Sequence, residues 1–220
     1  NTERIAVGIQ GLAVAEASYQ NAVTYARELL QGRSPKGPQQ PARPADPIIV
    51  HPDVRHMLLT QRALIEGCRA LALWAAQALD VAERHPDRMI SKQADELVAL
   101  LTPVVKAFLT DSGSEAANLG VQVFGGHGYM WANGQEQFLR DARITQIYEG
   151  TNGVQSLDLL GRKVLQLGLL RSFQEPAASF LAAHEGDERL AEFIMPVSAA
   201  LDLLDDATSM LSDRSASMPE

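Results

Sequence analysis

At 220 residues, with 46% hydrophobic and 21% charged positions, the chain has the make-up of a globular protein, which excludes disordered, collagen-like and disulfide-scaffold classes. A chain this long buries roughly 70% of the surface its unfolded form exposes, so its core needs neither metal nor disulfide. The 19 Lys+Arg and 27 Asp+Glu leave a net charge of -8, and without a basic block to track a phosphate backbone no nucleic-acid partner is expected.

Apolar residues Ile5, Ile9, Leu12, Tyr19, Ala22, Val23, Ala26, Leu29 and Leu30 recur at three-and-four spacing and predict one long helix over residues 3–31. Five prolines and two glycines between Gly32 and Pro47 predict a long exposed loop. Pro52, at a first-turn position, opens a second helix with the stripe Val54, Met57, Leu58, Leu64, Ile65, Cys68, Leu71, Ala75, Leu79 and Ala82, which ends before His85 and Pro86. The third stripe, from Ile90 through Leu97, Leu101 and Val105 towards Phe124, is expected to kink or break at Pro103 and Gly113. A fourth helix follows Asn152 with Val154, Leu157, Leu160, Val164 and Leu167 as its stripe. Nothing alternates with period two for long enough to be a strand. The fold class is therefore all-α, an antiparallel helical bundle over residues 1–165 with a helical appendage over 166–220.

The lone Cys68 suits a reducing compartment, and residues 1–30 hold Glu3, Arg4 and Glu16 where a signal peptide needs an apolar centre. No membrane span is expected, and the location reads as cytoplasmic. The first residue is Asn1 rather than methionine, which suggests a processed chain or a piece of a larger one. His51 and His56 share no helix face and have no third ligand nearby, so no metal site is expected. Trp74 and Trp131 read as packing residues, and Arg140, Asp141 and Arg143 as an ion-paired connection.

One stretch departs from the grammar of a bundle: Q-V-F-G-G-H-G-Y over residues 122–129, then R-D-A-R-I-T-Q-I-Y-E-G-T-N-G over 140–153. Gly125, Gly126 and Gly128 each cost about 1 kcal/mol inside a helix. They suit either a backbone that a bulky ligand approaches closely or a helix end followed by a turn. His127 within them suits a loop-stabilising or cofactor-edge role. Glu149 sits just before a helix opening marked by Thr151, Asn152 and Gln155. It is either a solvated cap or, with burial against an apolar ligand, a general base.

These two motifs closely resemble the C-terminal signature of the acyl-CoA dehydrogenases, and residues 1–165 resemble the C-terminal helical domain of that family. The resemblance implies a flavin enzyme in which a carboxylate removes the α-proton of an acyl-CoA thioester while a β-hydride passes to FAD, giving a trans-2-enoyl-CoA. It implies Glu149 as the catalytic base and Gly150 as its substrate-contacting neighbour. Asn1 and Arg4 take the family's D/N-x-x-R positions at acyl-CoA. Gln122, Val123, Phe124, Gly125 and Gly126 take the loop that contacts the adenine-dinucleotide half of FAD, typically from a neighbouring subunit. Thr151, Asn152 and Gly153 take the stretch after the base that also touches FAD. Glu3 holds the position from which the isovaleryl and long-chain branches supply their base; those branches usually lack a carboxylate in I-Y-E-G-T, which favours Glu149 here.

There is one departure: Leu29 stands where the family usually has an arginine for the FAD pyrophosphate, with Arg27 and Arg33 at other angles of the helix. The insertion over residues 34–49, the run from His51 to Gln61 and the continuation after Arg162 resemble a larger bacterial branch that includes 3-methylmercaptopropionyl-CoA dehydrogenases. The family's N-terminal helical and middle β domains have no counterpart here, so the chain alone is expected neither to hold FAD tightly nor to turn over substrate. The implied partners are an acyl-CoA substrate, an electron acceptor such as an electron-transfer flavoprotein, and further copies in a homodimer or tetramer. The alternative is a non-catalytic assembly or binding module derived from the same fold.

Overall fold

The computed structural model describes residues 2–217, without the side chains of 215–217; Asn1 and residues 218–220 lie outside the described part. The described residues contain no strand, and β-type pairing is confined to an antiparallel bridge between Leu30 and Pro47. Three long helices come first: α1 (Thr2–Glu28), α2 (Pro52–Arg84) and α3 (Arg88–Phe124). Short α4 (Gly126–Tyr129), α5 (Gln135–Thr145) and α6 (Asn152–Leu157) follow, and α6 continues as a π-helix over Asp158–Gln166. The chain closes with α7 (Arg171–Ala183) and α8 (Ala191–Ser217). It forms two compact units, Asn1–Ala76 with Thr102–Gln155, and Gln77–Leu101 with Ser156–Glu220.

In the first unit α2 runs back along α1. Arg69 pairs with Glu16 at 2.5 Å, Arg62 lies over the Tyr19 ring, and Ala22 and Ala26 share a core with Val54 and Leu58. α3 then runs parallel to α1 at very short range. A Cβ on Gly11 would lie 2.8 Å from the Leu109 carbonyl oxygen, and one on Gly113 would lie 2.6 Å from that of Gly11. The buried face of α1 is consequently Ile5, Val7, Gly8, Gly11, Leu12, Ala15, Ser18, Ala22 and Ala26. Apolar spacing alone had placed Ile9 in that face, but Ile9 is exposed, because small residues rather than large ones make the contact. α5 returns antiparallel to α1: Gln135 Nε2 donates to Ser18 Oγ at 2.8 Å, and the Tyr148 hydroxyl donates to Gln10 Oε1.

Several expectations need correction. α3 neither breaks nor ends at Pro103 or Gly113. A proline inside a helix costs about 3 kcal/mol, which burial of Val105 and Leu109 at roughly 1.5–3 kcal/mol each offsets. The Gly32–Pro47 segment is more than an exposed loop, because it folds around Asp46, which has no exposed surface. The Asp46 carboxylate accepts the amides of Ser34 at 3.0 Å, Gln39 at 3.0 Å and Gln40 at 2.8 Å, and pairs with Arg33. Burial opposes its ionisation, yet these amides and the Arg33 guanidinium outweigh burial and hold its pKa at about 2.

Trp131 is 83% exposed rather than packed, whereas Trp74 is half-buried. Asp141 accepts from Gln137 and Arg143 donates to Gln146, so the expected ion-paired connection is held by neutral amides. Of the fourth stripe, Val154, Leu157, Leu160 and Leu167 are exposed, and the helix changes to π geometry at Asp158.

In the second unit Val81, Ile90, Leu97, Leu169 and Pro176 face a common cleft, and Gln174 of α7 hydrogen-bonds Asp205 of α8. α3 is long and apolar enough to cross a membrane by length and composition, but 61% of that stretch is buried within the fold, as suits a core helix.

Candidate active site

Glu149 lies in the tight turn between α5 and α6. After α5 the Ile147 and Tyr148 amides still bond the Ile144 carbonyl, and the Asn152 amide reaches back to Gln146 O at 3.2 Å, closing the turn. Glu149 is the described non-glycine residue with positive φ, at 56°, and Gly150 follows at 84°. Two successive left-handed residues reverse the chain sharply, and for glutamate the conformation costs on the order of 1–2 kcal/mol.

The surroundings hold that conformation. Buried Gln155 donates from Nε2 to both Glu149 O, 3.2 Å, and Gly150 O, 3.1 Å. Its Oε1 has no partner, and turning the amide over would set oxygen against two carbonyls. The Thr151 hydroxyl accepts the Val154 amide at 3.3 Å and caps α6.

Beneath the turn lies Lys106 of α3, which has no exposed surface. Its Nζ donates to Asn152 Oδ1 at 2.8 Å, and Asn152 Nδ2 donates onward to Asp111 Oδ1 at 2.7 Å and Thr110 Oγ1 at 3.0 Å. Gln146 Nε2 also donates to Asp111 Oδ1, at 2.5 Å. Burial pulls the Lys106 ammonium below the ordinary lysine pKa; Asp111 opposes that shift and Arg4 adds to it. Arg4 is half-buried in the first turns of α1, and its charge acts on Lys106. Asn1 lies outside the described residues. Glu3 is exposed in the first turn of α1. The Glu149 side chain is itself exposed, so this chain alone does not dry it.

The second cluster sits at the other end of α1. Gly125, with φ 58° and ψ -138°, adopts a backbone conformation essentially confined to glycine and ends α3. The Phe124 ring stacks on Tyr25 at 4.0 Å, and the Tyr25 hydroxyl bonds His127 Nδ1 at 2.7 Å. His127 thus ties the glycine loop to α1, the loop-stabilising role of the two expected. Gln122, Gly125 and Gly126 are exposed, and a Cβ on either glycine would meet nothing within 4 Å. Val123 is buried and Phe124 packs on the core, so their side chains face inward. Asn152 likewise commits its whole amide to Lys106, Thr110 and Asp111, while Thr151 and Gly153 are exposed. From Gln10, which Tyr148 bonds, to Tyr25, at 1.5 Å per helical residue, is about 22 Å. Gly150 and Thr151 thus share the turn with Glu149, whereas the Gly125 loop lies several helical turns away.

Leu29 is half-buried against the α1–α2 core, and its carbonyl accepts the Ile48 amide. Arg33 is occupied by Asp46 and by the carbonyls of Gln40 and Arg43. Arg27 remains exposed. Sequence reasoning missed Lys106 and Asp111, and read Gln155 only as a mark of the helix opening; a lysine between Thr102, Val105 and Leu109 on an otherwise apolar face was the available signal.

Comparison with known proteins bears on this geometry. The family described as acyl-CoA dehydrogenase, C-terminal domain, matches residues 1–165. The 3-methylmercaptopropionyl-CoA dehydrogenase of Ruegeria pomeroyi is 46% identical over 91% of this chain and 35% of its own length. A butyryl-CoA dehydrogenase of Syntrophomonas wolfei is 32% identical over 89% of this chain and 32% of its own. Among solved structures, Caenorhabditis elegans ACDH-11 in complex with C11-CoA superposes with a TM-score of 0.82 at 25% identity, over 96% of this chain and 33% of that one. The chain thus spans about a third of the length of these relatives.

Proposed function

Because this chain belongs to the acyl-CoA dehydrogenase family, as the C-terminal domain of its members, we propose that it is the C-terminal part of a flavin-dependent acyl-CoA dehydrogenase and supplies its catalytic base. The observation that carries the reading is the held, left-handed Glu149–Gly150 turn. A glutamate kept at positive φ by buried partners is the kind of local strain that marks functional sites.

In this reading the Glu149 carboxylate accepts the α-proton of an acyl-CoA thioester. That carbon acid is far too weak for a carboxylate in water, so the site must exclude water and stabilise the enolate oxygen. The Glu149 side chain projects from an exposed turn, and the surface that covers it comes from protein outside this chain. Arg4, with Asn1 near it in sequence, and Gly150 contact the acyl-CoA.

The chain's residues fit an adenine-dinucleotide cofactor in part: Gln122, Gly125, Gly126, Thr151 and Gly153 offer exposed backbone and polar groups, while Val123, Phe124 and Asn152 act through their backbone alone. Those residues would hold FAD, which would supply the acceptor for the β-hydride. The two cofactor-facing segments lie about 22 Å apart along α3, from Thr110, which Asn152 bonds, to Gly125. That supports a homodimer or tetramer in which the glycine loop of one subunit serves the site of another. Leu29 leaves the pyrophosphate without the usual arginine. An electron-transfer flavoprotein as acceptor and a cytoplasmic location complete the reading. The non-catalytic module is not favoured by the similarities.

The test is Glu149→Gln in the full-length, flavin-loaded enzyme. FAD content is expected to stay at the wild-type level while bleaching of the flavin by acyl-CoA slows roughly 100- to 10,000-fold, the range of a lost general base. Bleaching at the wild-type rate in Glu149→Gln, with loss in Glu3→Gln, would move the base to Glu3.

A further inference from the structure

The costliest choice in the first unit is Lys106. An ammonium with no exposed surface gives up several kcal/mol of hydration, and an apolar side chain of the same length would fill the space without that penalty. Its bonding shows what the charge does. Lys106 Nζ holds Asn152 Oδ1, which leaves Asn152 Nδ2 pointing at Asp111, so the amide bridges an ammonium and a carboxylate and has a single favourable orientation. Asp111 Oδ1 also accepts Gln146 Nε2. One carboxylate oxygen thus grips both Gln146 and Asn152, the two residues whose backbones close the Glu149 turn through the 3.2 Å Asn152 N to Gln146 O bond. Gln155 completes the grip from the other side, on the carbonyls of Glu149 and Gly150.

We propose that Lys106 and Asp111, bridged by the Asn152 amide, are positioning residues for proton abstraction: they clamp both ends of the Gln146–Asn152 turn and so hold Glu149 in its left-handed conformation. The proposal rests on the reading of Glu149 as the base. A glutamate at φ 56° relaxes towards negative φ once its neighbours no longer forbid it, and that rotation swings the carboxylate away from where the turn aims it. Neither positioning residue needs to touch substrate. Their loss should appear in the rate of the chemical step and leave binding alone.

The experiment compares Lys106→Met, Lys106→Gln, Asp111→Ala and Glu149→Gln in the full-length, flavin-loaded enzyme. Anaerobic stopped-flow mixing with whichever straight-chain acyl-CoA bleaches the wild-type flavin fastest gives the readout. Loss of one charge-assisted hydrogen bond from the turn corresponds to roughly 10- to 100-fold in rate. Lys106→Met and Asp111→Ala are expected to slow bleaching by that factor, with unchanged FAD content and unchanged acyl-CoA affinity. A larger isotope effect with α-deuterated substrate should accompany the loss. Lys106→Gln, which keeps a donor for Asn152 Oδ1, should recover part of it.

Wild-type bleaching in Lys106→Met overturns the proposal, as does a rate loss matched by equal loss of FAD or substrate affinity, which marks a purely structural role. If Lys106→Met does not fold, Asp111→Ala decides, since Asp111 is exposed and its truncation opens no buried cavity: slowing supports the clamp and a wild-type rate overturns it. The base reading fails separately, through unimpaired bleaching in Glu149→Gln.

Discussion

Two glycines in long helices should respond to the same substitution with opposite signs. Gly67 of α2 is exposed, and a Cβ there would meet nothing within 4 Å, so Gly67→Ala changes only backbone entropy and helix propensity. It should stabilise by about 1 kcal/mol. Gly113 of α3 gains the same propensity, but its Cβ would sit 2.6 Å from Gly11 O, 2.9 Å from Gly11 C and 3.0 Å from Gly11 Cα. Those atoms are helix backbone and cannot swing aside, so α1 and α3 must part by most of an ångström along a face built from small residues. Overpacking of this kind costs about 1–3 kcal/mol, and the crowding against three backbone atoms places Gly113→Ala at the upper end. Subtracting the propensity gain leaves a net loss of about 2 kcal/mol. At about 2–4 °C per kcal/mol for a chain of this size, Gly67→Ala should raise Tm by about 2–4 °C and Gly113→Ala lower it by about 4–8 °C. Thermal unfolding followed by far-UV circular dichroism measures both. Equal stabilisation by the two would refute the close α1–α3 contact.

Asp46 ties an acid-sensitive element to the Gly32–Pro47 segment. Its native pKa of about 2 lies below the unfolded value of about 3.9, so its stabilising contribution is complete above that unfolded value and is lost as pH falls towards 2. Asp46→Asn should flatten the acid limb of stability and expose the segment to limited proteolysis at neutral pH; an unchanged acid limb would show that the amide cluster contributes nothing. Cys68 is buried, and burial pushes its thiol pKa up while a hydrogen bond from Ser112 opposes the shift. Ellman's reagent should therefore leave it untouched until denaturant is added, and rapid labelling of the native chain would contradict its placement in the core.

Much of the architecture was legible in order and length. The start of α2 at Pro52 and its end before His85 followed from proline placement and apolar spacing, and the three-and-four pattern located α1 and α3. The chemistry-bearing turn was legible too, because glycines and a glutamate in the Q-I-Y-E-G-T run break the pattern of a bundle. The α1 face was misjudged because hydrophobic spacing weights Ile9 above Gly8, Gly11 and Ser18, whereas backbone proximity selects the smallest residues. Of the kink or break expected at Pro103, the break did not occur, because tertiary burial overrides a local helix penalty. The order in the Gly32–Pro47 segment escaped notice because its nucleus is one aspartate receiving amides from up to twelve positions away.

Sequence alone determined where the helices run, that the chain is all-α, and which turn carries a candidate base, because periodicity and residue chemistry are local properties. Only the tertiary structure decided that Lys106 lies under that turn and bonds a residue 46 positions along the chain. It alone set Glu149 at positive φ and put the glutamate turn beside Gln10 and the glycine loop beside Tyr25. Such pairings depend on which helix faces meet, and a linear pattern of polar and apolar residues holds no record of the distance between two faces.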